Sequence, residues 1–184
     1  MSPAARARAR IAPGAPGDIG VVNALVTRAI GLATGGRAPN VFTTLARHRR
    51  LFRRWLVFAA GLMPGGTLAR TETELVILHV ARRMACEYEW RHHVRLGRRA
   101  GLTVEAIERV RRDEIDAELF SARERALLRA SHELQAHREI GDATWDELRA
   151  HATEPEIIEL CLLVGHYQML AMTLNTLRVP LDEP

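Results

Sequence analysis

From Asp18 onward, apolar residues recur at helical spacing almost without interruption, and this period restricts the chain to an all-α fold. Leu51, Trp55, Phe58 and Leu62 define one apolar helix face, stopped by Pro64-Gly65-Gly66. Asp18 can cap a helix running to about Ala33, which Thr34-Gly35-Gly36 ends, and Pro39-Asn40 starts a short one. Thr71-Glu72-Thr73-Glu74 has the spacing of a capping box, in which the Thr71 hydroxyl accepts from the Glu74 amide and the Glu74 carboxylate reaches back. Gly101 suits a helix C-terminus, and Thr103 with Ala106, Ile107 and Val110 makes a further short helix. Ser121 and Glu124 repeat the capping pattern ahead of Leu127, Leu128 and Leu134. Gly141 to Thr144 is a break, Trp145 to Ala150 a short helix, and Glu154-Pro155 opens a final helix to about Leu177. No Asn-Gly or Asp-Gly turn separates alternating runs, so no β-hairpin is expected. Segments 71–110 and 121–150 share this capped outline and suggest a weak helical duplication.

The length of 184 residues allows one helical domain over 18–184, preceded by a disordered basic arm over 1–17. Ala-Arg repeats fill positions 4 to 10, and Pro13, Gly14, Pro16 and Gly17 follow. There is no lysine, so all 26 basic residues are arginine and Schiff-base chemistry on lysine is excluded. Residues 1 to 55 hold ten arginines against the single acid Asp18, a net +9, whereas the remainder carries −5. Such asymmetry can mark a nucleic-acid arm or an anion site, but no recognition-helix motif accompanies it, and nucleic acid is not the expected partner. No uninterrupted apolar run reaches the roughly 18 residues of a spanning helix. Ile157 to Leu174 is broken by Glu159, His166 and Gln168, and the N-terminal arginines adjoin no apolar stretch. A cytoplasmic location is the expectation, with Cys86 and Cys161 as free thiols and no membrane partner.

Chemistry concentrates between Glu74 and Gly101. Cys86, Glu89, Trp90, His93 and Gly97 fall on one side of a helix. Thiol, carboxylate, indole, imidazole and glycine together make a poor apolar core. Glu89 and His93 at i, i+4 can touch, and a carboxylate that orients an imidazole fixes its tautomer and raises its basicity. In a straight helix Glu74 and Cys86 would point about 120° apart, so a shared site needs a break between them. A helix starting near Ala85 would favour the Cys86 thiolate, while Glu87 and Glu89 oppose it. Tyr88 and Trp90 could line an apolar pocket, with His92 beside them. Arg91, Arg95, Arg98 and Arg99 could hold a carboxylate or form a solvated face. His-Glu-x-x-His is absent, so no metal site and no cofactor are expected; His79, His132, His137, His151 and His166 look isolated.

Glu74, Cys86 twelve positions on, His93 seven further, and Gly101-Leu-Thr-x-Glu105-x-Ile107 together resemble the carboxymuconolactone decarboxylase superfamily, which includes the alkylhydroperoxidase D-like proteins. The resemblance runs from about Ala38 to Val179, through Pro39-Asn-Val-Phe-Thr-Thr-Leu-Ala-Arg-His48 and Asn175-Thr-Leu-Arg-Val-Pro180. It implies the multi-helix hydroperoxidase-like fold, assembled as a dimer, trimer or hexamer. The hydroperoxidase branch is marked by Cys-x-x-Cys and a histidine four residues later; here Glu89 stands at the second cysteine. The decarboxylase branch resembles Arg-Glu-His-Glu-Leu-x-x-His; Glu87, Glu89 and His93 match, while Cys86 and Tyr88 replace the arginine and first histidine. The expected activity is cofactor-free lyase or isomerase-like acid–base chemistry on a small carbonyl or carboxylate compound. His93 is its catalyst, Glu89 its orienter, and Glu74 and Cys86 supporting residues. The alternatives are a one-cysteine peroxidase through Cys86 and a non-catalytic helical oligomer.

Overall fold

A computed structural model of the protein describes residues 8–34 and 36–182, which form helices and contain no strand. The chain divides into two compact units, one of Met1–Ala60 with Thr173–Pro184 and the other of Gly61–Met172. Of the expected arm, residues 1–7 lie outside the described residues. Residues 8–17 are tied down by backbone hydrogen bonds, from Arg10 N–H to the Leu177 carbonyl at 2.9 Å and from Gly14 N–H to the Thr43 carbonyl at 3.1 Å.

In the first unit, α1 (Pro16–Ile19) and α2 (Val21–Thr34) replace the one helix expected from Asp18. Asp18 accepts from the Ala15 amide at 2.9 Å and so caps only the short helix. Gly20, at φ 80°, then turns the chain into α2, a conformation that costs glycine least. With α3 (Asn40–Leu45) and the first part of α4 (Arg49–Leu62), these helices enclose Ile19, Ala46 and Phe52, flanked by Phe42 and Trp55.

The second unit contains α5 (Arg70–Arg83), α6 (Glu87–Ala100), α7 (Val104–Arg111), α8 (Ala122–His137), α9 (Asp142–His151) and most of α10 (Glu154–Leu177). All residues of α5 from Glu72 to Ala81 are buried, which makes it the helix around which this unit is arranged. Leu75, Leu78 and Ala81 meet Trp90 of α6, Leu102, Ala106, Ile107 and Val110 around α7, and Phe120 and Leu128 towards α8. Three boundaries follow the expected chemistry: Gly101 ends α6 at φ 110°, Thr103 accepts from the Ala106 amide at 3.1 Å, and Ser121 and Glu124 form a reciprocal box. The start of α5 is a correction. Its N-cap is Ala69, whose amide donates to Glu72 at 3.3 Å, so Glu74 lies a turn inside the helix instead of closing a box with Thr71.

By length and composition α10 could cross a membrane, but 56% of its apolar stretch is buried within the protein, as in a core helix. Arg123 of α8 joins three helices. It binds Glu72 of α5 in two places, at 2.7 and 3.0 Å, and Glu156 of α10 at 2.6 Å, and the guanidinium holds the Glu156 carboxyl down to about 2. Arg123→Ala is therefore expected to destabilise the protein by about 1–3 kcal/mol at pH 7, measured by urea unfolding. The loss should shrink as the pH falls towards 2, where the Glu156 contribution disappears.

Candidate active site

A short turn brings the two chemistry-bearing stretches together. Helix α5 ends at Arg83, Ala85 adopts φ 48°, and Cys86 becomes the N-cap of α6, its amide donating to the Ala81 carbonyl at 2.9 Å. This break removes the angular conflict between Glu74 and Cys86. On α6, Gly97 permits the close approach of α5: a Cβ there would lie 2.9 Å from Leu102 Cδ1 and 3.6 Å from Glu74 Cβ. Cys86, Glu89 and His93, which helical spacing placed on one side, are all withdrawn from solvent, at 1%, 2% and 4% exposure.

Glu74 is the fixed point of the site. Fully buried, it meets Arg70 Nη2 at 2.7 Å through Oε1 and His93 Nδ1 at 2.7 Å through Oε2. A carboxylate without water needs such partners, since burying the charge unpaired would cost several kcal/mol. The assigned hydrogen bond, Nδ1–H to Glu74, leaves Nε2 as the histidine nitrogen for a reacting group. The carboxylate that orients His93 is thus Glu74, across the helix pair, and the expected i, i+4 partner Glu89 does not do so. Sequence spacing favoured Glu89 because it registers neighbours on one helix and cannot register a partner on another.

Neither Glu89 oxygen has a hydrogen-bond partner at normal geometry. Burial pushes its carboxyl up to about 8, with only the Cys86 thiol, close enough to donate weakly, pulling it back. Glu89 is consequently neutral at pH 7. The Cys86 thiol is itself pushed up to about 12, first by burial and then by the Glu89 charge. Desolvation outweighs whatever the α6 N-terminus offers the thiolate. Tyr167 of α10 packs edge-on against His93, ring centroids 5.1 Å apart, and burial together with Glu74 and Glu89 drives its hydroxyl upward.

The other expected residues are distributed differently. Tyr88 is buried on α6, Trp90 lies in the core with the Arg111 guanidinium 5.0 Å from its ring, and His92 is half-buried against the His93 ring. Arg91, Arg95, Arg98 and Arg99 are exposed, and Arg91 pairs with Glu87 at 2.6 Å. Arg70 and Tyr167 escaped the sequence reading, and His166, read there as isolated, is buried beside Tyr167. The i, i+4 spacing of Arg70 and Glu74 was a signal for the first; nothing local marks Tyr167. A shallow cavity of about 400 Å³ lined by Arg50, Arg53, Arg54 and Val57 lies on α4 and shares no residue with this site.

Residues 49–133, which hold this α-helical pair and its buried acid–imidazole centre, match the Carboxymuconolactone decarboxylase family. The resemblance carried by Glu74, Cys86, His93 and Gly101 is borne out over this segment. Among solved structures, an alkylhydroperoxidase AhpD core, a peroxidase-related protein from Ralstonia eutropha, is 20% identical with a TM-score of 0.81, over 94% of this chain and 93% of that one. A peroxidase-related protein from Silicibacter is 20% identical with a TM-score of 0.78, over 88% and 85%. The debrominase Bmp8 is 16% identical with a TM-score of 0.75, over 94% and 91%. These likenesses show the AhpD-like fold. No curated protein matches in sequence.

Raised proton affinity at Glu89 makes stability depend on pH in a definite direction. The folded state binds this proton more tightly than the unfolded chain, whose ordinary value is 4.5. That contribution is complete below about pH 4.5 and lost as the pH rises through about 8. Glu89→Gln is expected to leave the unfolding free energy nearly unchanged at pH 4.5 and to raise it at pH 9, by an amount of order a few kcal/mol, with the melting temperature moving the same way. Calorimetry across that range checks it; equal effects at both ends contradict a neutral Glu89.

Proposed function

We propose that the protein is an enzyme that moves a proton on a small carbonyl or carboxylate compound, as a cofactor-free lyase or isomerase. The observation that carries this is the buried 2.7 Å contact between Glu74 Oε2 and His93 Nδ1. Glu74 fixes the imidazole and stabilises it when it gains a proton, so Nε2 can abstract a proton next to a carbonyl and later return one. Arg70 balances the Glu74 charge, and Tyr167 holds the ring edge-on. Glu89, neutral at pH 7, supplies a hydrogen-bond donor for the oxygen on which negative charge develops. Cys86 contributes a protonated thiol beside it, and Tyr88 and His92 are the side chains proposed to contact substrate. Trp90, packed in the core, supports α6 from behind.

The family match supports enzymatic chemistry, and the debrominase, whose structure is also known with 2,3,4-tribromopyrrole, supports a small ring as a substrate size for this fold. A peroxidase role through Cys86 has the peroxidase-related neighbours in its favour. Against it stand a thiol held near 12 and a glutamate where a second thiol would resolve the oxidised sulfur. The proposed location is the cytoplasm, with α10 serving as a core helix.

His93→Ala is expected to lower kcat/KM on carboxylated γ-lactones and β-keto acids by about 10²- to 10⁴-fold, while Cys86→Ser stays within about tenfold of the parent. Peroxide consumption abolished by Cys86→Ser, with lactone and keto-acid turnover absent, supports the peroxidase instead.

We also propose a homo-oligomer. Ile158, Leu162, Met169 and Met172 are exposed on α10 at spacings of four, seven and three, with exposed Gly165 between them, an apolar stripe suited to another copy. Light scattering should show more than one subunit for the parent and a smaller species for Leu162→Glu with Met169→Glu. A monomeric parent contradicts it.

A further inference from the structure

His79 and His132, isolated in sequence, converge in the folded chain with Asp113. One potential ligand atom from each lies within 4.8 Å of the others, and His79 Nε2 is 3.5 Å from Asp113 Oδ1. Zinc bonds of about 2.0 Å in tetrahedral arrangement set neighbouring ligand atoms about 3.3 Å apart, so the His79–Asp113 separation already suits one ion. The residues come from three segments: His79 from the middle of α5, His132 from α8, and Asp113 from the connection between α7 and α8. Asp113 sits there at φ 62°, a left-handed conformation that aspartate tolerates better than most residues.

We propose that these three side chains bind a divalent first-row transition ion of the zinc class, which ties α5, α8 and the α7–α8 connection together. The second, independent observation is His79 itself. It has no solvent exposure, and its Nε2, directed at Asp113, has no hydrogen-bond partner. A buried orphan nitrogen is costly unless something pairs with its lone pair. On the opposite side of the ring, Nδ1 lies 3.0 Å from Ser131 Oγ and 3.3 Å from the Gln135 amide nitrogen; in the ligating tautomer its proton goes to Ser131 Oγ, which fixes the ring. Two imidazoles and one carboxylate suit zinc, cobalt, nickel or copper better than calcium or magnesium. Asp113 is 40% exposed, which provides a way in from solvent and a position for a completing water.

Arg83 is the cation with which the ion competes. Its Nη1 lies 3.1 Å from His132 Nδ1 and 3.2 Å from Asp113 Oδ2. Binding exchanges the guanidinium for the metal at His132, while Arg83 can keep Asp113 Oδ2 and leave Oδ1, the oxygen nearest His79 Nε2, to the ion. The site is separate from Glu74, which is five positions earlier on α5 and about 140° around it. Its role is a clamp behind the helix that carries the acid.

The test is calorimetric titration of the full chain, stripped with chelator, with Zn²⁺, for the parent, Asp113→Asn, His132→Ala and Arg83→Gln, each checked for folding by circular dichroism. Asp113 is exposed and His132 half-buried, so both variants should fold even where His79→Ala does not. Expected are saturable binding of one ion per chain, affinity at least about tenfold weaker in Asp113→Asn and His132→Ala, and tighter binding in Arg83→Gln. The melting temperature of the parent should rise with Zn²⁺. Absence of saturable binding overturns the proposal, as does binding unchanged in Asp113→Asn and His132→Ala. Weaker binding by Arg83→Gln overturns the competition with Arg83.

Discussion

A carboxylate placed where water cannot reach must be neutralised by the protein, and the burial of Glu74 makes this demand at the centre of the second unit. Arg70 and His93 answer it from opposite oxygens. The consequences spread along the chain. Helix α6 must lie close enough for His93 to reach, which Gly97 allows, and the turn at Met84 and Ala85 must be tight enough to return the chain alongside α5. Each group is thereby held by packing before any substrate binds, the condition for preorganised acid–base chemistry.

Two glutamates of this unit are buried with different partners. Glu74 has a guanidinium and an imidazole for partners; Glu89 has no charged partner and is raised to about 8. Their partners assign them different roles, Glu74 orienting the imidazole and Glu89 holding a proton to donate. Cys86 is governed by the same surroundings. Beside a buried acid and away from solvent, it behaves as a weak thiol donor, so a cysteine at a helix N-cap does not by itself produce a reactive thiolate.

Much of the fold was legible because helix boundaries obey local chemistry. Gly101, Thr103, Ser121 with Glu124, and Glu154-Pro155 act over three or four residues, and the structure follows all of them. Asp18 and Thr71 misled for the same reason: each satisfied a local pattern, while Gly20 split one helix and Ala69, with no side-chain oxygen of its own, began another. The face bearing Cys86, Glu89 and His93 was readable from helical spacing. Its partners were not, since Tyr167 arrives from a helix more than seventy residues later and Glu74 replaces Glu89 at His93 by a contact between helices. The convergence of His79, Asp113 and His132 likewise has no sequence period to announce it.

The central claim is that Glu74 accepts a hydrogen bond from His93 Nδ1 and so presents Nε2 to the substrate. Nitrogen-15 NMR of the His93 imidazole tests it most directly. The account predicts a protonated, hydrogen-bonded Nδ1 whose proton resonance shifts strongly upfield in Glu74→Gln and stays in place in Glu89→Gln. An unprotonated Nδ1 in the neutral ring, or a resonance that follows Glu89 and ignores Glu74, would contradict it.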